Sequence, residues 1–282
     1  MLKQRLLTAA VLIAVFLAAL FLMNPLNFVL FLLVILVLSL FEWADLSAIK
    51  NPLARVIYVA VGVAIVVMIQ YYGLAGKELF LIVFAIWLVV IVRLFRLGHM
   101  DSEQQRLSGN SVLAWLDGYF VLLPTILGLE ILKVQDSAVP QLLLVFFFII
   151  WSADTGAYLA GRSLGRHKLA PVISPGKTIE GLIGGLVGAL TTAAIVGVVV
   201  WKLSPGKLIF WLFAVVFITL FSVAGDLFES IYKRRAGVKD SGKLLPGHGG
   251  VLDRIDSACA ALPPYILVLY YFDLVAPGIS TQ

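Results

Sequence analysis

The strongest constraint on this chain is a near-unbroken succession of apolar runs. They cover residues 6–23, 27–43, 53–71, 79–96, 112–132, 139–160, 180–201, 207–225 and 256–275. A helix needs roughly 20 apolar residues to cross a hydrocarbon layer about 30 Å thick, and most of these runs approach that length. Inside lipid the backbone must satisfy its own hydrogen bonds, so such runs become helices. The composition agrees. Of the 282 residues, 61% are hydrophobic and only 13% charged, against about 25% charged in soluble domains. A soluble domain of this size has no interior large enough for that much apolar surface. The expected fold is an all-α polytopic membrane protein with about nine transmembrane helices.

The basic residues orient these spans. With the N-terminus in the cytoplasm and strict alternation, 17 of the 21 Lys and Arg residues fall on the cytoplasmic side. Only Lys77, Lys133, Lys202 and Lys207 fall outside. Such a bias follows the positive-inside rule. The net charge of +5 is therefore read as topology and contact with anionic bilayer lipids, with no nucleic-acid partner. Lys3 and Arg5 ahead of an apolar stretch resemble a signal peptide, but the stretch is long and no small-x-small site precedes Asn24. A retained first span is expected. The single cysteine, Cys259, excludes an intrachain disulfide and a Cys-based zinc site. Residues 1–135 read as N-terminal transmembrane helices. Residues 136–282 read as the catalytic transmembrane region, with cytoplasmic loops at 161–179 and 226–255. Residues 93–111 form a polar connector, and aromatic residues near span ends are expected to anchor at the interface.

The polar chemistry concentrates in three places. Asp154 sits in the sixth run, where an ionisable group costs roughly 2.5–3.5 kcal/mol at a helix centre. Either it faces a wet cavity or a cation, or it bonds a neighbouring helix; the first is favoured. Gly156 and Gly161 allow close helix approach, and Gly181, Gly184, Gly185 and Gly188 share one face as a packing seam. Next, Ser174-Pro-Gly-Lys177-Thr178 contains a GKT triplet, but Pro171 stands where a P-loop requires glycine, and no strand precedes it. Placed at the start of the seventh helix, Ser174, Lys177 and Thr178 suit an anion or act as cap and topology charges. Last comes the stretch 225–256. Asp226 and Glu229 lie three apart on the eighth helix, Asp253 and Asp256 three apart at the start of the ninth. Between them are Lys233, Arg234, Arg235, Lys239, Lys243, His248, Gly249 and Gly250. Carboxylate oxygens suit Mg²⁺, and glycines with cations suit phosphate. His248 is read as a phosphate contact or as a residue that orders the loop.

The stretch Ser230-Ile-Tyr-Lys233-Arg234, Lys239-Asp-Ser-Gly242 and Leu-Leu-Pro246-Gly-His248-Gly249-Gly250-Val-Leu-Asp253-Arg-Ile-Asp256 resembles the signature of the phosphatidate cytidylyltransferase (CDP-diacylglycerol synthase) family. Asp154-Thr-Gly-Ala-Tyr158 and Ser174-Pro-Gly-Lys-Thr-Ile-Glu-Gly181 resemble it too, in order. Tyr232 departs from the pattern, which has an aliphatic residue or Phe there. The resemblance covers the C-terminal half, while residues 1–140 match only in hydrophobicity. It implies cytidylyl transfer from CTP to phosphatidate with Mg²⁺, a second cation (K⁺), a homodimer and a multi-pass protein of the bacterial inner membrane. It also implies that Asp226 and Asp253 are the metal-binding carboxylates; from the residues themselves, Asp154 or Asp256 is expected to assist. Lys233 and Lys239 would serve catalysis. Ser174, Lys177, Thr178, Arg234, Lys243, His248, Gly249 and Gly250 would bind substrate. Two rival classes fit the bare chemistry: a transporter of an anionic lipid or nucleotide, and a CTP-dependent polyprenol kinase.

Overall fold

The computed structural model describes residues 2–97, 111–134 and 141–275. The boundary expected at 135/136 and most of the polar connector lie outside the described residues. Nine helices are described, one for each apolar run: α1 (Leu2–Phe21), α2 (Pro25–Leu46), α3 (Pro52–Tyr71), α4 (Lys77–Leu97), α5 (Ser111–Val134), α6 (Gln141–Leu164), α7 (Ile179–Ile195), α8 (Pro205–Arg235) and α9 (Asp256–Tyr271). By length and composition six of them are able to cross a membrane: α2, α3, α5, α6, α7 with its continuation to Val200, and α8. The chain is thus a helical, polytopic membrane protein.

Local sequence sets several helix starts. Asn24 and Asn51 each precede a proline and cap the helix, Asn24 Oδ1 accepting from Asn27 N at 2.8 Å and Asn51 Oδ1 from Leu53 N at 2.8 Å. Proline at the first helical position has its φ preset and gives up a donor that would be orphaned there anyway. Helix α8 has 31 residues, which at 1.5 Å per residue is about 46 Å. That exceeds a ~30 Å hydrocarbon layer, so its charged C-terminal turns extend beyond the apolar slab.

The glycine seam forms as expected. Helices α6 and α7 approach so closely that a Cβ on Gly184 would stand 2.6 Å from the Gly156 carbonyl oxygen, and one on Gly188 would overlap the Ser152 carbonyl. Helix α9 is buried along most of its length and packs against α4, α5 and α8. Aromatic residues near helix ends divide: Tyr71, Tyr72, Trp115 and Tyr271 are exposed, while other large aromatics turn inward. Trp43, Trp87 and Trp211 are fully buried, because their rings fill gaps between helices. Trp43 packs on Phe228 and Tyr232, and Trp211 on Trp201 and Tyr265.

Helix ends alternate between two faces of the bundle. At one face Thr8 (α1) bonds the Pro246 carbonyl, Trp43 (α2) bonds the Ala114 carbonyl of α5, and Lys177 pairs with Asp226 at the end of α8. At the other, Lys133 bonds the Leu20 carbonyl and Gln70 bonds Glu130. The chemistry-bearing segments therefore share one face.

Two expectations need correction. The fold is not wholly helical: between α6 and α7 the chain makes an antiparallel hairpin, β1 (Lys168–Ala170) and β2 (Ser174–Thr178), pairing Lys168 with Thr178 and Ala170 with Ser174. The loop boundaries also move. Helix α6 continues to Leu164 and α8 to Arg235, leaving an irregular segment of 236–251 before a 3-10 turn at Leu252–Arg254.

Candidate active site

The hairpin places Lys177 rather than the start of a helix doing so. Ser174, Lys177 and Thr178 all belong to β2, and only Thr178 caps α7, accepting from Gly181 N at 3.1 Å. Extended backbone projects Lys177 across to α8, where its Nζ lies 2.6 Å from Asp226 Oδ2. Ser230 Oγ donates to Asp226 Oδ1 at 3.2 Å. Beside this pair is a cavity of about 240 Å³, lined among others by Asp154, Tyr158, Lys177, Thr178, Ser222 and Asp226. Asp154 is exposed toward it and lies within electrostatic reach of Lys177, Asp226 and Arg254. Of the alternatives for Asp154, the structure favours the cavity. Ser174 begins β2 and does not line the cavity among the described residues.

A second cluster lies under the 236–251 segment. The ends of α8 and α9 meet because Gly225 has no side chain; a Cβ there would overlap the Asp256 carbonyl oxygen. Lys233 Nζ stands 2.8 Å from Asp253 Oδ1 and 3.2 Å from Glu229 Oε1, with all three side chains at most 8% exposed. Asp253 Oδ2 accepts from Gly250 N (2.8 Å), Ser241 N (2.9 Å) and Ser241 Oγ (3.0 Å). Burial works against its ionisation. The Lys233 hydrogen bond and the Gly250 and Ser241 amides outweigh that and hold the Asp253 carboxyl below its usual range. Asp256, the first residue of α9, lies within reach of the charges of Asp226, Lys233 and Lys177, so it links the two clusters.

The remaining expected residues fall into distinct settings. Arg234 ties the α8 terminus to the hairpin, donating to Ile173 O at 3.3 Å and Val238 O at 3.1 Å. Lys239 and Lys243 are exposed on the loop. His248 is held through its backbone, its N–H donating to Leu245 O and its carbonyl accepting from Arg254. Gly249 adopts φ +87°, and a Cβ there would overlap Asp253 Oδ2. Gly250 leaves room for Ser241 and Glu42. Both glycines thus admit the protein's own carboxylates to the loop backbone.

Sequence reasoning passed over Glu42 of α2. It is 9% exposed, and its carboxylate accepts from Val251 N (3.0 Å) and Leu252 N (2.8 Å) and lies 3.1 Å from Ser241 Oγ, whose single hydroxyl proton it shares with Asp253 Oδ2. An acidic residue inside an apolar run was the available signal. Asp117 of α5 gives the same signal, and it accepts the hydroxyl of Tyr232, the departure from the family pattern.

Mg²⁺ takes oxygen ligands, usually one or two carboxylates plus waters and substrate phosphates. Asp226, with Asp154 and Asp256 near it, has that donor chemistry, and the Lys177 ammonium already neutralises Asp226. Among the described residues no three of His, Cys, Asp and Glu converge as a ready-made metal cage. The residues fit a cation shared with substrate better than one enclosed by protein. Asp253 fits less well: each Asp226 oxygen has one partner and its side chain is 31% exposed, whereas Asp253 is 7% exposed and its Oδ2 alone meets three donor atoms besides the Lys233 bond to Oδ1.

A helical membrane bundle with carboxylates, an ammonium and a cavity gathered at one face has the make-up of a membrane enzyme acting on a phosphate group. The chain belongs to the cytidylyltransferase family, whose model matches residues 3–272. It is 38% identical over 300 aligned residues to a phosphatidate cytidylyltransferase of Haemophilus influenzae, covering 97% of this chain and all of that protein. It is 38% identical to the one of Pseudomonas aeruginosa (98% of this chain, all of that protein). Identity to the Staphylococcus saprophyticus enzyme is 36% (93% of this chain, 96% of that protein).

Proposed function

We propose that this protein transfers the cytidylyl group of CTP to phosphatidate, giving CDP-diacylglycerol and pyrophosphate for phospholipid biosynthesis. The observation that carries the site assignment is the Lys177–Asp226 pair bordering a cavity with both polar and apolar lining. A phosphatidate head group meets Lys177 and Thr178 there, while Ala153, Ala157, Leu182 and Val223 suit the glycerol and upper acyl region. A phosphatidate oxygen forms a bond to the α-phosphorus of CTP, and the bond from that phosphorus to the bridging oxygen of the β-phosphate breaks. The phosphate monoester is already a nucleophile, so no strong protein base is needed. The protein's task is positioning and charge neutralisation.

In this proposal Asp226, with Asp154 and Asp256, holds Mg²⁺, and the resemblance adds K⁺ as a second cation and Asp253 as a further ligand. The metal supplies phosphoryl polarisation and neutralises charge on the departing pyrophosphate. Lys177 binds phosphate and orients it. Exposed Lys239 and Lys243 draw CTP toward the loop. The charge bias of the loops supports a cytoplasmic site face in a bacterial inner membrane. The resemblance also favours a homodimer, which mass measurement of the detergent-solubilised protein tests.

The deciding experiment uses CTP labelled in turn at the α- and γ-phosphates, with phosphatidate and Mg²⁺, on purified protein. Appearance of α-label on lipid with equimolar pyrophosphate is expected. γ-Label on lipid would mean a kinase, and no pyrophosphate release would leave a transporter; either result overturns the proposal.

A further inference from the structure

We propose that Glu42, on α2 in the N-terminal half, is a positioning residue for the transfer reaction. It holds the segment 241–252 against the ends of α8 and α9. This rests on the reading that this segment and the end of α8 carry the transfer chemistry.

Glu42 is buried, yet among the described residues it makes no ion pair. A carboxylate taken out of water needs compensation, and here it comes from three neutral donors about 200 residues away in the chain: Ser241 Oγ at one end of the segment, Val251 N and Leu252 N at the other. One carboxylate therefore pins both ends. The backbone closes tightly around it. A Cβ on Gly242 would stand 2.5 Å from Glu42 Oε1, and one on Gly250 would overlap Oε2. Ser241 Oγ is also 3.0 Å from Asp253 Oδ2, so its one hydroxyl proton is shared between the two carboxylates, and Asp253 Oδ1 accepts from Lys233. The chain of contacts thus runs from Glu42 through Ser241 to Asp253 and Lys233. Glu42 does not line the cavity beside Lys177, so it acts through these groups rather than on substrate. A carboxylate suits the position because its two oxygens accept one backbone amide each and a share of the Ser241 hydroxyl; Gln keeps one acceptor oxygen and places an NH₂ against amide donors.

The test uses the full-length protein in lipid–detergent micelles, as Glu42→Gln and Glu42→Ala. A third variant, Gln70→Ala, breaks the Gln70–Glu130 bond at the opposite face and serves as a stability control. Hydrogen exchange over 239–252 and separate kcat and KM values for CTP and phosphatidate are measured. For Glu42→Ala, faster exchange at Val251 and Leu252 is expected, with kcat about 100-fold lower and phosphatidate KM within about threefold. Glu42→Gln is expected to regain about tenfold of that loss through its remaining acceptor. Unchanged exchange in both variants would show that Glu42 does not hold the segment, leaving the site reading intact. Faster exchange with wild-type kcat would show that the segment is not part of the transfer site, overturning both. An equal kcat loss in Gln70→Ala at matched thermal stability would reduce Glu42 to a purely structural group and overturn the inference.

Discussion

Replacing Lys233 by Met removes an ammonium from between two buried carboxylates. Its side chain is 8% exposed, that of Glu229 3% and that of Asp253 7%. Removing one member of a buried ion pair costs about 3–5 kcal/mol, because the partner is left as an uncompensated charge. The two carboxylates share that burden unequally. Asp253 keeps its bonds from Ser241 and Gly250, whereas Glu229, once Lys233 is gone, has no hydrogen-bond partner left among the described residues. Most of the loss therefore comes from Glu229. With a total stability of about 5–15 kcal/mol for a typical fold, Lys233→Met should lower the unfolding temperature by on the order of 10 °C. Adding Glu229→Gln removes the stranded charge and should recover about 1–3 kcal/mol. The assay is thermal unfolding of the detergent-solubilised protein, with turnover measured well below both midpoints. If Lys233→Met keeps the wild-type midpoint but loses turnover, the ammonium acts on substrate and the ion-pair reasoning is refuted.

Lys177→Ala should do the reverse, lowering kcat/KM by roughly 100-fold for loss of a charge-assisted phosphate contact, with the midpoint nearly unchanged because the side chain is 24% exposed. Asp226→Asn should abolish cytidylyl transfer with the folded protein retained, as judged by size-exclusion profile and product analysis; near-normal turnover would end its metal assignment. Gly249→Ala should destabilise by about 1–3 kcal/mol, since a φ of +87° is strained for Ala and its Cβ would overlap Asp253. The depressed carboxyl of Asp253 stabilises the fold fully above its unfolded value near 4, and that stabilisation fades as pH falls further. Acid unfolding should therefore begin at higher pH in an Asp253→Asn variant at reduced overall stability, and its midpoint should respond less steeply to pH below about 4.

The apolar runs by themselves determined the nine helices of the described residues, because a backbone surrounded by hydrocarbon has no hydrogen-bonding alternative among single segments. Glycine spacing likewise determined the α6–α7 seam, since side-chain size acts locally along a helix face. The motif stretch between Asp226 and Asp256 marked where charges gather. Their pairing was not legible. Lys177 and Lys233 read alike in sequence, as phosphate-neutralising cations, yet one borders the cavity beside Asp226 and the other is sealed between Glu229 and Asp253. The hairpin at 168–178 was missed because three- and five-residue strands carry too little periodicity to register against the flanking helices. Glu42 shows most clearly what only the tertiary structure decides. Its partners lie about 200 residues away, and which donors compensate a buried carboxylate depends on how helices from the two halves of the chain meet. Composition and local pattern specify the elements; burial and hydrogen-bond closure between distant elements specify what each charge is for.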